Sequence, residues 1–298
     1  MNLFKNYNLI MKSYITIREG EKRMEESDGV GNKREKKRKR NEILMKKKSI
    51  DEIIEAAVSD KDPLIHFPSL HYYINHGLSV SLKSEHGGVL SCQLKQYIKV
   101  LLKANMEVPF GCEWPAEEKV KHREMVAPEA RYIFVYETSD CDSNRITNTS
   151  EGMVVGFVHY RFVIEEEVPV LYVYELQLEP HVQGKGLGKF LMQLLELIAQ
   201  KNKMGAVVLT VQKANRSAMN FYTGKLRYTV SAISPSRVDQ LLGLQSSYEI
   251  LCKAFDPEAK TILEAKTPHH LLPPREPRRG TGQSGFHDKF YGLQQCKE

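Results

Sequence analysis

A chain of 298 residues that is 41% hydrophobic can bury a sizeable core in one large or two small domains. No window approaches the ~20 uninterrupted apolar residues of a membrane-spanning helix, and Leu9, Ile10 and Met11 are followed at once by Lys12 and Ser13, so no membrane span and no secretion are expected. The net charge of +6 gathers at one end, where residues 1–48 hold 15 of the 43 Lys and Arg but only 7 of the 37 Asp and Glu.

The basicity is densest at 32–40, Asn-Lys-Arg-Glu-Lys-Lys-Arg-Lys-Arg. That composition suits a nuclear-localisation signal or an arm held near phosphates by Coulomb attraction and counterion release. A solvated leader without structure has the same composition. Residues 1–48 are therefore expected to form a basic disordered leader, and residues 1–23 read as an extension ahead of Met24, where a more typical polar leader begins.

From 49 to 255 the pattern is even, as expected of one domain. Apolar residues recur at helical spacing over Asp51 to Val58 and Gln93 to Ala104, and Ala116 to Met125 reads as a polar-faced helix. Strands follow at Arg131 to Glu137, Gly152 to Ile164 and Val168 to Leu178, rich in Val, Ile, Tyr and Phe. A polar loop and the acidic turn Glu165-Glu166-Glu167 separate them into an antiparallel meander. Next come a helix from Leu187 to Lys201, a buried strand from Ala206 to Val211, a helix from Arg216 to Gly224 and strands near Tyr228 and Tyr248. The order predicts an α/β fold with a mixed sheet.

Beyond Asp256 the periodicity fades and Pro, Gly and His increase, so 256–298 is expected to be a disordered tail in which His269 and His270 carry no role. The five cysteines, Cys92, Cys112, Cys141, Cys252 and Cys296, are scattered, odd in number and free of CxxC pairs. They read as reduced intracellular thiols, and no metal site is expected.

The chemistry concentrates where the third strand meets the long helix, in Tyr174-Glu-Leu-Gln-Leu-Glu-Pro-His-Val-Gln-Gly-Lys-Gly-Leu-Gly-Lys189. A glycine-rich loop ending a strand and opening a helix aims unpaired N–H groups and the positive end of the helix dipole at one point, which suits a pyrophosphate. Gly184, Gly186 and Gly188 allow close approach, and Lys185 and Lys189 add positive charge. The Gly-x-Gly-x-x-Gly and Gly-Lys-Ser/Thr endings of nucleotide loops are absent.

Gln183-Gly-Lys-Gly-Leu-Gly188 resembles the Q/R-x-x-G-x-G/A motif of the GCN5-related N-acetyltransferase (GNAT) superfamily, and Asn215-Arg-Ser-Ala-Met-Asn-Phe-Tyr222 resembles its second signature. The resemblance narrows through Leu171 to Glu179, Gly186 to Leu191, Val208 to Val211 and Ser247 to Leu251. These stretches are similar to the N-alpha-acetyltransferase 40 branch, also called NatD. Asp62-Pro-Leu, Phe67-Pro, Gly77-Leu, Asn105-Met, Glu113-Trp114 and the basic leader follow that branch in order.

The resemblance implies a GNAT fold, a mostly antiparallel mixed sheet flanked by helices with a splayed central strand pair. It implies acetyl-CoA as co-substrate and amino-terminal acetylation of histone 4 and histone 2A, which begin Ser-Gly-Arg-Gly. Leu176, Gln177 and Leu178 would pair with pantetheine, and Gln183, Gly184, Lys185, Gly186, Leu187, Gly188, Lys189 and Asn215 would hold the rest of the cofactor. Tyr172, Tyr174, Thr210, Trp114 and Tyr248 fall on peptide-site positions, and Glu175 on the acid-base position.

An α-amine with a pKa of about 7.7–8.0 must lose a proton before it attacks a thioester, and Glu175 can take it provided that burial raises its pKa toward neutrality. Tyr172 and Tyr174 share a strand face, whereas Glu175 faces the other unless a bulge re-aims it; the resemblance predicts that bulge. Each aromatic has a packing alternative, Trp114 above all. Tyr222 is open as a donor to the departing thiolate.

Three positions depart from the branch. Phe110 stands where a substrate-contacting tyrosine is expected, Val163 where an acid is expected and Ile233 where a serine is expected. Glu165, Glu166 and Glu167 either replace the lost carboxylate or form a solvated turn. Two other functions fit the same residues: a GNAT enzyme for lysine side chains or a small amine, and a non-catalytic acetyl-CoA-binding chromatin adaptor. The expected setting is nucleus and cytoplasm, as a monomer meeting histone tails, with chromatin or ribosome contact through the basic leader and no membrane.

Overall fold

The computed structural model of the chain describes residues 33–138 and 152–264. The loop containing Cys141, the leader before Lys33 and the tail with His269, His270 and Cys296 lie outside them. Helix α1 is Lys33–Ser59, α2 Cys92–Phe110, α3 Trp114–Glu124, α4 Leu187–Lys201, α5 Arg216–Met219, α6 Pro235–Val238, α7 Gln240–Gln245 and α8 Pro257–Leu263. The strands are β1 Tyr72–Asn75, β2 Leu78–His86, β3 Arg131–Glu137, β4 Met153–Glu165, β5 Val168–Leu178, β6 Ala206–Gln212, β7 Thr229–Val230 and β8 Tyr248–Ala254.

One sheet runs β1-β2-β3-β4-β5-β6-β8-β7. Among the described residues only β5 and β6 pair in parallel, and a parallel pair needs a long crossover, which α4 supplies. Leu187, Leu191, Leu194, Leu195 and Ile198 of α4 fall on one helical stripe and are buried with Ala57 of α1 against Tyr160, Leu171 and Val173. The opposite face carries α2 and α3, whose Ile98, Leu101 and Trp114 pack with Tyr132, Phe134 and Phe157. In a third cluster Tyr172, Val208, Tyr248 and Ile250 meet Ala259 and Leu263 of α8.

The expected elements form, with three differences. The basic run is helical from Lys33, so the boundary expected at 48/49 falls inside α1. Residues 37–49 of that helix are exposed, whereas Ile50 and Ala57 are buried. Arg131 closes its far end, donating to Asp60 O at 2.5 Å and to Val58 O, which satisfies carbonyls that a helix terminus leaves open. The β1–β2 hairpin was not anticipated, although Leu78, Val80 and Leu82 alternate as an inward face. Within the stretch read as tail, 257–263 is helix α8, capped by Asp256, whose Oδ1 accepts from Ala259 N at 2.8 Å.

Two features open the sheet. Pairing of β5 with β6 covers only Val170–Val173 and Ala206–Leu209. Beyond that β5 stays with β4 as far as Leu178↔Gly156, β6 stays with β8 as far as Gln212↔Tyr248, and a wedge separates them. At the same point a bulge interrupts β5: His159 opposes Glu175 and Tyr160 opposes Val173, leaving Tyr174 as the extra residue. Val173 and Leu176, three apart instead of two, both pack on the α1/α4 side. Glu175 and Gln177 turn to α3 and α2, where they meet Lys121 and Asn105. The expected bulge therefore puts Glu175 on the Tyr172 and Tyr174 side.

Candidate active site

The wedge holds a cavity of about 830 Å³. At one end is the loop before α4. Gly184 (φ +73°) and Gly186 (φ +86°) lie in the left-handed region that side chains avoid, and the N-cap Gly186 offers no side chain to the first N–H groups of the helix. A Cβ on Gly186 would come within 2.6 Å of the Tyr73 hydroxyl, which donates to Lys185 O at 2.6 Å. One on Gly188 would lie 3.3 Å from the Phe221 ring. Lys189 and Lys225 line this end, as does Asn215, whose Oδ1 also caps α5 by accepting from Ala218 N at 3.0 Å.

These features fit a pyrophosphate at the loop. The edge of β5 left by β6, at Leu176 to Leu178, fits an amide-bearing pantetheine chain, since a strand edge presents main-chain donors and acceptors. Gln183 also lines the cavity and donates to Leu178 O at 2.9 Å. Tyr222 lines it from the π-helical turn Asn220–Lys225, and burial pushes its hydroxyl well above the usual range, keeping it a phenol.

The other end is walled by Phe110, Tyr172, Tyr174, Thr210 and Tyr248. The Tyr172 and Thr210 hydroxyls share a hydrogen bond of 2.5 Å. The His159 ring stacks between Tyr132 (4.9 Å) and Tyr174 (4.8 Å); burial, then Arg161 and Lys121, holds its pKa well below the usual value, so it stays uncharged. Trp114, Lys185 and Leu187 are not on the wall: Trp114 is 3% exposed and backs Phe110 at 5.9 Å, Leu187 is in the core, and Lys185 contributes its carbonyl to Tyr73. The Glu165–Glu167 turn and Val163 are not on it either, and Ile233 is a buried core residue.

Charge is arranged along α3. Glu117, Lys121 and Glu124, spaced four and three, occupy one face and line the cavity beside Glu175. Lys121 donates to Glu175 Oε1, and Gln177 donates to Oε2 at 2.8 Å while accepting from Asn105 at 3.0 Å. Burial alone would lower the Lys121 pKa, but the Glu175 carboxylate overcomes it, and the ammonium ends above its usual value. Burial likewise pushes the Glu124 carboxyl up to about 7. The cavity thus has cations at the loop end and three carboxylates round one ammonium at the other.

Residues 105–226 match the Acetyltransferase (GNAT) family. That match covers less than half of the chain. The chain is similar to the PaiA N-acetyltransferase of Thermoplasma acidophilum in complex with coenzyme A, at 18% identity over 59% of this chain and 99% of that one, with a TM-score of 0.39. It is also similar to Arabidopsis thaliana Naa50 with the bisubstrate analogue CoA-Ac-MVNAL (17% identity, 58% and 99% covered, TM-score 0.37). A third likeness is to Arabidopsis thaliana NAA60 with a bisubstrate analogue (12% identity, 59% and 100% covered, TM-score 0.38).

GNAT enzymes use acetyl-CoA, and the loop, the β5 edge and Asn215 are where this chain can hold it. The matched stretch stops before β8, so Tyr248 comes to the cavity from outside it. Reading the sequence missed Glu117, Lys121 and Glu124, because a polar helix face reads as solvated. It also missed Asn105 and Gln177 as a side-chain pair and Tyr73 as the prop of the glycine loop.

Proposed function

We propose that the protein is an N-alpha-acetyltransferase that moves the acetyl group of acetyl-CoA to the terminal amine of histone 4 and histone 2A by direct attack in a ternary complex. The observation that carries this reading is the two-ended cavity. Its cationic, glycine-lined end suits phosphates, and its other end sets Glu117, Glu124 and Glu175 round Lys121 beside tyrosine hydroxyls, which suits a cationic amine on a basic peptide. Of the positions that the resemblance gives to the peptide, Tyr172, Tyr174, Thr210 and Tyr248 line it, and Trp114 does not. Glu117 and Glu124 offer the carboxylates for the histone arginine that Val163 does not, and they favour this over recruitment of the acidic turn.

In this reading the tyrosines bind and orient the peptide, a carboxylate takes the ammonium's proton, and Tyr222 supplies a phenol at the departing sulfur. Acetyl-CoA supplies the activated acyl group. The exposed basic half of α1 supports contact with nucleic-acid phosphates in chromatin or on the ribosome, in nucleus and cytoplasm.

Mass spectrometry of Ser-Gly-Arg-Gly-Lys-Gly-Gly after incubation with protein and acetyl-CoA tests the proposal. One acetyl group on the terminal amine, greatly slowed by Glu175→Gln, is expected. Acetyl on lysine would point to the side-chain enzyme, and acetyl-CoA binding without turnover across a peptide panel to the adaptor.

A further inference from the structure

Resting on that reading, with Glu175 as the carboxylate that takes the proton, we propose that Asn105 and Lys121 are positioning residues that clamp it on the cavity wall, Lys121 directly and Asn105 through the Gln177 amide. Glu175 follows the extra residue at Tyr174, where the regular pleat of β5 is broken, and its side chain is held from outside the strand. From α3 the Lys121 ammonium donates to Oε1, while the Gln177 amide donates to Oε2 at 2.8 Å. Each oxygen keeps a further lone pair with which to accept a proton.

Gln177 is aimed by Asn105. A glutamine amide can present either end to a neighbour. Asn105 of α2 donates from Nδ2 to Gln177 Oε1 at 3.0 Å, which fixes the oxygen on its own side and leaves Nε2 for Glu175. The same Nδ2 donates to Leu178 O at 3.2 Å, and Gln183, at the start of the glycine loop, donates to that carbonyl at 2.9 Å. Hydrogen bonds therefore run unbroken from the cofactor loop through Leu178 O, Asn105 and Gln177 to Glu175 and Lys121. All four of these side chains line the cavity, and Glu175 and Gln177 are buried. A buried ion pair is weak ground for stability, because desolvation offsets the attraction, so an ammonium set against this carboxylate points to its orientation.

The balance is closed. The substrate ammonium gives one proton to Glu175, and the freed lone pair forms the N–C bond as the C–S bond breaks. The second proton passes from nitrogen to the departing sulfur, making the thiol, and Glu175 returns its own to water.

The test is kcat and KM for the full chain on whichever amine mass spectrometry finds acetylated, with Asn105→Asp and Lys121→Met each made in the wild type and in Glu175→Gln. Asn105→Asp keeps the shape but replaces the donor with a carboxylate, which draws Gln177 Nε2 to itself and turns the amide oxygen toward Glu175. Each change should lower kcat about 10- to 100-fold, as misplacing a reacting group does, with the KM for acetyl-CoA moved by less than about 3-fold. In Glu175→Gln neither should cost anything further, because a residue that acts through Glu175 then has nothing to act on. Lys121→Arg should recover part of the rate. Asn105→Asp, which opens no cavity, decides the matter if Lys121→Met fails to fold. Losses that add in full to that of Glu175→Gln, or a loss confined to the KM of either substrate, overturn the proposal. Acetyl on lysine sinks the histone reading, yet the same cycle decides the clamp; a wild-type protein silent on every amine overturns both.

Discussion

The Tyr73 hydroxyl donates to Lys185 O across 2.6 Å, so a hairpin at the edge strand of the sheet holds the cofactor loop in shape from outside. Its ring also lies 4.9 Å from that of Phe190 on α4. Tyr73→Phe keeps the ring contact and removes one hydrogen bond worth ~0.5–1.5 kcal/mol. The KM for acetyl-CoA should rise about 2- to 10-fold by that measure, with kcat held, in initial-rate kinetics.

Lys121 and Glu175 form an ion pair with only 14% and 7% of their side chains exposed. Removing one partner strands a buried charge, at a cost of about 3–5 kcal/mol. Urea unfolding should show Lys121→Met strongly destabilised, and the double variant Lys121→Met/Glu175→Gln less so than the sum of the single changes, the sign of a coupled pair.

Glu124 predicts a stability that falls with rising pH. Burial raises its carboxyl from 4.5 to about 7, so the native chain keeps a proton that the unfolded chain has lost. The stabilisation is complete below about pH 4.5 and gone above about pH 7. Glu124→Gln should match the wild type near the lower value and exceed it by ~1–3 kcal/mol at alkaline pH, measured by thermal unfolding across the range. Gain in stability with loss of rate would mark a residue kept for chemistry.

Thr210→Val removes the hydroxyl that meets Tyr172 at 2.5 Å and preserves the side-chain shape. A loss of ~1 kcal/mol in orienting Tyr172 raises the peptide KM about 5-fold. Binding of coenzyme A, followed by calorimetry, should not change.

Much of the frame is written locally. Val168–Leu178 and Leu187–Lys201 take the bounds that their patterns predict, because a β-rich run ending at a glycine loop and a helical apolar stripe each carry their own stop signals. The hairpin Tyr72–His86 was hidden, because β1 is short and largely exposed and the intervening serines on β2 soften its alternation. Half of the site was legible through the glycine loop and the residues of β5. The α3 carboxylates were not, because only packing against β5 turns a charged helical face into a cavity wall. Trp114 reads either as a peptide-site position, by the resemblance, or as a core anchor, and its ring backs Phe110 from within the core.

The extra residue at Tyr174 sets the phase of everything after it on β5. With the strand in strict alternation, Glu175 would point where α1 and α4 bury their leucines, and Leu176 would face the amine. Adding one residue between Val173 and Glu175, with the bulge otherwise kept, would make that exchange without altering the chemistry of any side chain already there. The site is therefore specified partly by a count of residues, an instruction carried by chain length that a scan of single substitutions cannot read.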